Sequence, residues 1–432
     1  MATSKIMNMT LPFLAAITIT SNCFAQFQSA DHSKHLCKEF AVKAERGFTL
    51  TGTNDMPAGS ESEQIPLFDE TELFVGGQDD INTYRIPSLV CTEKGTLLAF
   101  CEGRRDNSRD GSPTHLVLKR SLMNTNPMVP PEHQHPRISE ARSRERNMTW
   151  LPMQILLHST NGDAYMNPVP VIDSKDGTIF LLINHYPSYG EAENEGKGVT
   201  ELWWMKSTDD GASWTEPVDI TPGVGNIALG PGIGIQLGNG RLVAPVYDGI
   251  IFSDDHGKTW RAGKKTAGPV NECQVVELVD GSLMLNTRGY PHRTVAISRD
   301  NGETWGEPYE DTSLTDPKLW GGCQASLIRY TRLDEGYGKN RLLFANPADT
   351  LYRFDITARI SYDEGKTWPV SKIIKKGTGA YSCLTVFPDG TIGIIYETGK
   401  YNKDIVEYYA RLSFARFNLE WLSDGEDHLL HE

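Results

Sequence analysis

The body of the chain has no excess of positive charge, no long apolar run and no long helical periodicity. Its 432 residues carry 42 Lys and Arg against 56 Asp and Glu, a net charge of −14. That balance argues against nucleic acid as a partner, because phosphates demand a basic surface. No apolar run after the N-terminus reaches the ~18 residues of a membrane-spanning helix, so no transmembrane segment is expected.

Cysteine is also scarce, and its spacing points to no known kind of site. Removal of an N-terminal segment containing Cys23 leaves six of the seven cysteines. An even number permits disulfides, but without a CxxC pattern the pairings stay open, and several lie in apolar runs typical of buried thiols. His133 and His135 have no cysteine or acidic ligand set beside them, so no metal and no cofactor is expected. The six cysteines are Cys37, Cys91, Cys101, Cys273, Cys323 and Cys383.

The first 25 residues are predicted to be a secretory signal peptide. Leu11–Thr20 is apolar but too short for a membrane anchor, and Cys23-Phe24-Ala25 offers a small-x-small cleavage site. Residues 26–66 are polar and patternless, which predicts a leader segment ahead of the folded domain. Asn147 begins an Asn-Met-Thr glycosylation sequon, which fits a luminal or secreted route.

One short pattern, Ser-x-Asp-x-Gly-x-Thr/Ser-Trp, occurs four times, with serine-to-serine intervals of 46, 45 and 63 residues. A period near 45 with one turn motif per unit is typical of a β-propeller, in which each unit forms a four-stranded blade. Residues 67–432 are therefore predicted to fold as an all-β, six-bladed propeller. The four copies, called Asp-boxes below, are Ser207–Trp214, Ser253–Trp260, Ser298–Trp305 and Ser361–Trp368.

Each residue of the Asp-box has a structural task in the predicted turn. The Asp side chain accepts hydrogen bonds from its own loop, and the Gly supplies a positive φ. Thr or Ser favours the returning strand, and the Trp anchors the turn between blades. The Asp-boxes therefore indicate a scaffold, and chemistry has to be sought elsewhere.

The segment Thr83–Val90, which reads TYRIPSLV, opens the first convincing strand. An arginine before a rigid Ile-Pro step is expected to point along the propeller axis, in either a structural ion pair or a ligand contact. Together with the Asp-boxes, YRIP resembles the sialidase (neuraminidase) superfamily, six-bladed propellers that cleave terminal sialic acids. The resemblance spans Leu73 to Leu422 and looks closest to the lysosomal type of animal exo-α-sialidase, although bacterial secreted sialidases share the pattern.

The resemblance implies that three arginines hold the sugar carboxylate. Arg85 matches the first, and Arg288 in the segment LNTRG, just past a single strand predicted over VVELVDGSLML, matches the second. Arg353, eight residues before the last Asp-box, matches the third. Guanidinium groups suit a carboxylate because they donate paired, charge-assisted hydrogen bonds in one plane. Arg104 matches a further arginine near the sugar's 4-hydroxyl, and Glu397 matches the glutamate that orients the first arginine.

The resemblance also implies the catalytic groups. Asp110 matches the acid/base aspartate, with Asp106 as its rival. Tyr381, expected just before the last full blade strand, matches the nucleophile, and Glu272 matches its base. A neutral phenol suits sialic acid, because a carboxylate nucleophile ~4 Å from the sugar's own carboxylate would meet a repulsion of about 4 kcal/mol. Asp110 must start protonated, so activity is expected to favour mildly acidic conditions.

A small, partly apolar pocket for the N-acetyl group is expected in Asp163–Pro168, where the family builds that region. Met166 and Asn167 are its candidate residues, and Ile86 is expected at the floor of the sugar pocket.

The chain departs from the family's pattern between about residues 122 and 148. A charged stretch there is predicted to be a surface insertion, and Thr149-Trp150 match the end of a first, degenerate Asp-box.

The expected activity is that of a retaining exo-α-sialidase, acting on terminal α-ketosidic sialic acid (N-acetylneuraminic acid) of glycoproteins, oligosaccharides and glycolipids. A non-catalytic sialic-acid-binding propeller and a trans-sialidase are the alternatives. The signal peptide predicts entry into the secretory pathway, and the resemblance implies the lysosome, with secretion as the alternative. It also implies a stabilising partner protein of the lysosomal carboxypeptidase type.

Overall fold

A computed structural model describes residues 65–123, 148–187, 200–269, 271–402 and 405–429. The predicted signal peptide, nearly all of the leader segment, most of the insertion, the sequon at Asn147, Cys37 and the two histidines of the insertion lie outside the described residues. One compact unit comprises Ser62–Lys400 and Val406–Glu432. The other comprises Met1–Glu61 and Tyr401–Ile405, and only Tyr401, Asn402 and Ile405 of it are described.

The described chain consists almost wholly of strands. The strands are β1 Phe68–Val75, β2 Thr83–Cys91, β3 Leu97–Arg104, β4 Thr114–Met123, β5 Met148–Trp150, β6 Gln154–Leu157, β7 Ala164–Asp173, β8 Thr178–Tyr186, β9 Glu201–Ser207, β10 Val218–Asp219, β11 Ile235–Gln236, β12 Leu242–Val246, β13 Gly249–Ser253, β14 Arg261–Ala262, β15 Cys273–Glu277, β16 Leu283–Thr287, β17 His292–Ser298, β18 Tyr309–Thr315, β19 Ser326–Thr331, β20 Arg341–Pro347, β21 Phe354–Ser361, β22 Val370–Val386, β23 Ile392–Thr398, β24 Tyr401–Asn402, β25 Ile405–Val406 and β26 Arg411–Phe417. Two one-turn helices, α1 (Thr221–Val224) and α2 (Leu419–Leu422), and two 3₁₀ turns, Leu319–Gly321 and Leu333–Glu335, complete the elements. No helix within the described ranges is both long and apolar enough to cross a membrane.

The strands form the six antiparallel blades of a β-propeller, which confirms the predicted fold. Blade 1 is β2, β3 and β4 with β5 and β6 as its outer edge, blade 2 is β7–β10, blade 3 is β11–β14 and blade 4 is β15–β18. The long strand β22 is shared, because its first half pairs with β21 in blade 5 and its second half with β23 in blade 6. β1 pairs with β26, so the first described strand completes the last blade.

Each Asp-box forms the turn between the third and fourth strands of its blade. In the second copy, Asp255 accepts hydrogen bonds from Ser253 and Thr259. Gly257 has φ +76°, and a Cβ there would lie 2.2 Å from Phe180 of the preceding blade. Trp260 packs edge-on against the same Phe180. The other three copies repeat these hydrogen bonds, which confirms their scaffold role.

The described end of the degenerate box of blade 1 makes the same kind of aromatic contact. Trp150 lies on β5 and packs edge-on against Phe414 of β26. The aromatic contact between neighbouring blades is therefore present although the sequence before Trp150 departs from the Asp-box pattern.

The cores lie between neighbouring blades, and the cysteines belong to them. Five cysteines of the described chain are free thiols, and all but Cys91 are buried. Burial raises the pKa of the Cys323 thiol to about 12 although Arg353 and Arg288 oppose the shift, which makes the thiol unreactive. The buried-thiol interpretation therefore holds for four of the five, Cys101, Cys273, Cys323 and Cys383, and not for the half-buried Cys91.

Candidate active site

A kink in the innermost strand of blade 1 aims Arg85. The pairing of β2 with β3 shifts register between Arg85 and Ser88, so Ile86 and Pro87 form a bulge. Ile86 adopts φ 55°, a left-handed conformation that is rare for a β-branched residue. Its amide donates to Glu397 at 2.9 Å, which ties down the strained residue. The bulge interrupts the regular strand alternation at the Ile-Pro step, the step that was predicted to aim Arg85 along the propeller axis.

Glu397, on β23, holds three groups of the site together. Arg85 donates to its two carboxylate oxygens at 2.9 and 3.2 Å, and the backbone amide of Tyr381 donates at 3.1 Å. The Glu397 side chain is fully buried. The predicted brace of Arg85 therefore also fixes the backbone of Ile86 and Tyr381.

Tyr381 lies inside β22, not ahead of the last blade's strand as the sequence indicated. A second register shift, between Gly379 and Ser382, places it at another bulge. Its hydroxyl donates to Glu272, which immediately precedes β15. Burial and the adjacent Glu272 raise the pKa of Tyr381, and the nearby arginines only partly oppose them. The phenol is thus neutral at rest and donates to a carboxylate.

The three predicted arginines converge on this one tyrosine. The guanidinium carbons of Arg85 and Arg353 lie 5.2 and 5.3 Å from the centroid of the Tyr381 ring. Arg288 donates to the Tyr381 hydroxyl at 3.1 Å and to Glu272 at 2.7 Å. The sequence expected Arg288 to follow one strand, VVELVDGSLML, but that segment is the hairpin of β15 and β16. Its Asp-Gly pair forms the turn.

A strained loop that no sequence motif predicted supports two of these arginines. Trp320, Gly321 and Gly322 have consecutive positive φ values of 55°, 64° and 96°. The carbonyls of Trp320 and Gly321 accept from Arg288, and the carbonyl of Gly322 accepts from Arg353 at 3.1 Å. Because the contacts join residues about 30 positions apart, no local pattern encodes them.

The mouth of the pocket carries Asp110 in the loop between β3 and β4. Arg104 lies 2.8 Å and Arg85 3.7 Å from the same Asp110 oxygen, and the Asp110 side chain is 65% exposed. Partial burial would raise the pKa of this carboxyl, but Arg104 and Arg85 together hold it below its usual range. The rival Asp106 is exposed, and its backbone amide donates to the hydroxyl of Ser112 at 3.0 Å.

Blade 2 repeats the bulge of blade 1. Asn167, before Pro168, has φ 51°, and its amide donates to Glu102 at 3.0 Å as Ile86 donates to Glu397. Glu102 in turn binds the buried Arg104 at 2.7 Å. The segments YRIP and YMNP therefore correspond, which places Met166 in blade 2 where Arg85 stands in blade 1.

Several of the predicted pocket residues are buried around this centre. Ile86 clusters with Tyr381 and Cys323 beneath the arginines. Met166 is 7% exposed, and the side-chain amide of Asn167 donates to the carbonyl of Leu229. All predicted site residues therefore belong to one compact unit.

Sequence reasoning missed four residues around the pocket, which are Glu102, Trp320, Tyr408 and Tyr409. The ring of Tyr409 lies 3.9 Å from the guanidinium carbon of Arg85, and its hydroxyl accepts from Arg353 at 3.4 Å. Trp320 covers Arg353 at 4.7 Å and is 50% exposed. Only the Glu-x-Arg spacing of Glu102 and Arg104 left a usable signal in the sequence.

Comparison with known proteins identifies the family. A BNR repeat-like domain model matches residues 133–394. The exo-alpha-sialidase of Arthroderma benhamiae is 31% identical over 84% of this chain and 89% of its own length. The chain belongs to the sialidase family. The sialidase of Micromonospora viridifaciens is 33% identical over 85% of this chain, and human Sialidase-3 is 28% identical over 76% of this chain and 88% of its own.

Solved structures agree with the sialidase fold. The Hadza microbial sialidase Hz136 superimposes with a TM-score of 0.67 at 30% identity, covering 82% of this chain and 69% of that one. Trypanosoma rangeli sialidase, at 20% identity and a TM-score of 0.60, shares the fold. The alignments cover 56% and 61% of the lengths of two bacterial sialidases, from Micromonospora viridifaciens and Bacteroides fragilis.

Proposed function

We propose that the protein is a retaining exo-α-sialidase that hydrolyses terminal α-linked sialic acid from glycans. The observation that carries the proposal is the convergence of three arginines on a phenol that is hydrogen-bonded to a glutamate.

The arginines supply a binding site for the sugar carboxylate. Glu397 engages two nitrogens of Arg85 and leaves the third toward Asp110. The Nε of Arg353 is buried without a hydrogen-bond partner among the described residues. A carboxylate that accepts from these groups forms charge-assisted hydrogen bonds in a dry site, and it does so although the whole chain is acidic.

Tyr381 is the proposed nucleophile, with Glu272 as its base. Tyr381 attacks the anomeric carbon as its proton passes to Glu272, which avoids bringing a second carboxylate against that of the sugar. Arg288 contacts both groups, so it stabilises the negative charge that the transfer shifts between them. The product of this step is a tyrosyl-sugar intermediate.

Asp110 is the proposed acid and then base. In the free protein its carboxylate is paired with Arg104 and Arg85. When the substrate carboxylate binds Arg85, that charge is shared, so the pKa of Asp110 rises and the acid form becomes available. Asp110 protonates the leaving oxygen and later deprotonates the water that releases the sugar with retained configuration.

The two alternatives differ in what they require. A sialic-acid-binding propeller has no use for the Tyr381–Glu272 hydrogen bond, so that pair favours catalysis. A trans-sialidase would use the same residues and pass the sugar to another glycan. Glycoproteins, oligosaccharides and glycolipids are the proposed substrates. Lysosomal targeting, the signal peptide and the carboxypeptidase-type partner stay predictions from the sequence.

Release of free sialic acid from an aryl α-sialoside tests the proposal. The wild type turns over, and Tyr381→Phe and Glu272→Gln each lose at least ~10³-fold in kcat. Because the two act as one unit, the double variant loses little more than either single variant. Folded wild type that binds sialic acid without turnover would favour the binding-protein alternative. If the losses in the two single variants added up in the double variant, Tyr381 and Glu272 would act independently and not as nucleophile and base.

A further inference from the structure

A cavity of about 440 Å³ adjoins the proposed active site at its mouth. It is bounded by the start of β2, the loop that carries Asp110, and the segment leading into β26. Its volume falls within the ~300–1,000 Å³ of sites that hold drug-sized ligands. The residues lining it are Asn82, Thr83, Asn107, Ser108, Val406, Glu407, Tyr408 and Tyr409.

The position of this cavity matches the path of the leaving group. Asp110 must reach the leaving oxygen, so the leaving group lies on the side of its loop. Asn107 and Ser108 of that loop line the cavity, and the Ser108 carbonyl accepts from Arg104 at 2.6 Å. On the other wall, the Tyr409 ring stacks on Arg85. The cavity therefore shares walls with the site that holds the sialic acid.

The chemistry of the lining selects one class of sugar. Amides and hydroxyls supply hydrogen-bond donors and acceptors for a polyol, and two tyrosines offer aromatic faces. Among the described lining residues, Glu407 is the one with a charged side chain, and it is an exposed residue. A negatively charged sugar would meet repulsion there, whereas a neutral hexose would not.

We propose that this cavity is the subsite for the sugar next to the cleaved sialic acid, and that Glu407 restricts it to neutral sugars. The inference rests on the proposed sialidase function. It predicts that sialic acid linked to a neutral hexose is cleaved in preference to sialic acid linked to a second sialic acid.

The test compares three substrates, sialyl-lactose, a dimer of sialic acid and an aryl sialoside as the reference without a second sugar. Wild type should show kcat/KM for sialyl-lactose at least ~10-fold above that for the dimer at low salt, and the gap should narrow as ionic strength rises. Glu407→Gln should lower the ratio of the two kcat/KM values, sialyl-lactose over the dimer, about fivefold, and Glu407→Lys should lower this ratio further. Glu426→Gln, which removes an exposed carboxylate from the C-terminal segment, should keep the wild-type ratio.

The outcomes distinguish a failure of the inference about the cavity from a failure of the proposed sialidase function. Equal cleavage of both glycans by wild type, or a ratio unaffected by Glu407→Lys while the aryl sialoside is turned over, would overturn the inference alone. No release from any of the three substrates would overturn the proposed function, and the inference with it.

Discussion

Arg85 and Glu397 form a buried, two-pronged ion pair between blade 1 and blade 6, with nitrogen–oxygen distances of 2.9 and 3.2 Å. The same carboxylate accepts the amides of Ile86 and Tyr381. One side chain thus sets the positions of Arg85, the first of the arginines proposed to bind the sugar carboxylate, and of Tyr381, the proposed nucleophile.

Glu397→Gln should therefore damage binding and stability together. It leaves the buried Arg85 without its counter-charge, which costs about 3 kcal/mol or more, and kcat/KM should fall by at least ~100-fold because both groups lose their support. Kinetics and thermal unfolding measure the two effects. Glu72→Gln is the matched control, because it breaks an exposed pair with Arg411 in the same blade and should cost less than ~1 kcal/mol. Equal losses in the two variants would contradict the role given to Glu397.

The pH dependence of turnover should report the pairing of Asp110. Arg104 and Arg85 lower the pKa of Asp110 in the free protein, whereas a bound carboxylate at Arg85 raises it. Because kcat/KM reports the free enzyme and kcat the complex, the loss of activity with rising pH should begin at lower pH in kcat/KM than in kcat. If kcat/KM and kcat began to fall at the same pH, or if kcat fell first, the result would contradict this account.

Asp110→Asn provides the control for that assignment. The variant should lose far more activity on sialyl-lactose than on an activated aryl sialoside, since an aryl leaving group needs little protonation. An equal loss on both substrates would point to a role other than proton transfer.

The Asp-box turns should be sensitive to a methyl group where they meet the preceding blade. Gly257→Ala places a Cβ 2.2 Å from Phe180 at φ +76°, so both backbone strain and a steric clash oppose it. Gly240→Ala has φ +91° but no atom within 4 Å, so it isolates the backbone term of ~1–2 kcal/mol. Measured by denaturant unfolding, the free energy of unfolding of Gly257→Ala should be a further ~1–3 kcal/mol below that of Gly240→Ala. Equal stabilities would mean that the turn does not press on the neighbouring blade.

The C-terminal segment should contribute stability that depends on pH. Asp427 accepts from Arg341, Lys339 and Tyr362. These contacts outweigh its burial and lower its pKa to about 2. Because the pKa of Asp427 is lower in the folded state than its unfolded value of about 4, the carboxylate contributes about 2 kcal/mol of stability at pH values above 4. This contribution is lost as the pH falls toward 2. The stability difference between wild type and Asp427→Asn should therefore shrink between pH 6 and pH 3, and a constant difference would contradict the pairing.

The sequence predicted those parts of the molecule that local chemistry encodes. The Asp-boxes follow from residues within eight positions of one another, such as Ser253 and Trp260, and they indicated the propeller. The rigid Ile-Pro step predicted that Arg85 points along the propeller axis. The Asp-Gly pair that splits VVELVDGSLML was also visible, but the apolar run around it was mistaken for one strand.

Long-range contacts account for what the sequence did not show. Asn167 binds Glu102 across 65 positions, and Arg288 binds the carbonyl of Trp320 across 32. Tyr409 reaches Arg85 from the far end of the chain. Such contacts arise only when the blades come together around the axis, so the supporting residues emerged from the structure.

Trapping of the tyrosyl-sugar tests the central claim most directly. A sialic acid donor that carries fluorine next to the anomeric carbon slows hydrolysis of the intermediate, because the fluorine destabilises the oxocarbenium-like transition state. Mass spectrometry of the digested protein should then find one sugar on the peptide that contains Tyr381, and none in Tyr381→Phe. A sugar on another residue, or full turnover by Tyr381→Phe, would contradict the account.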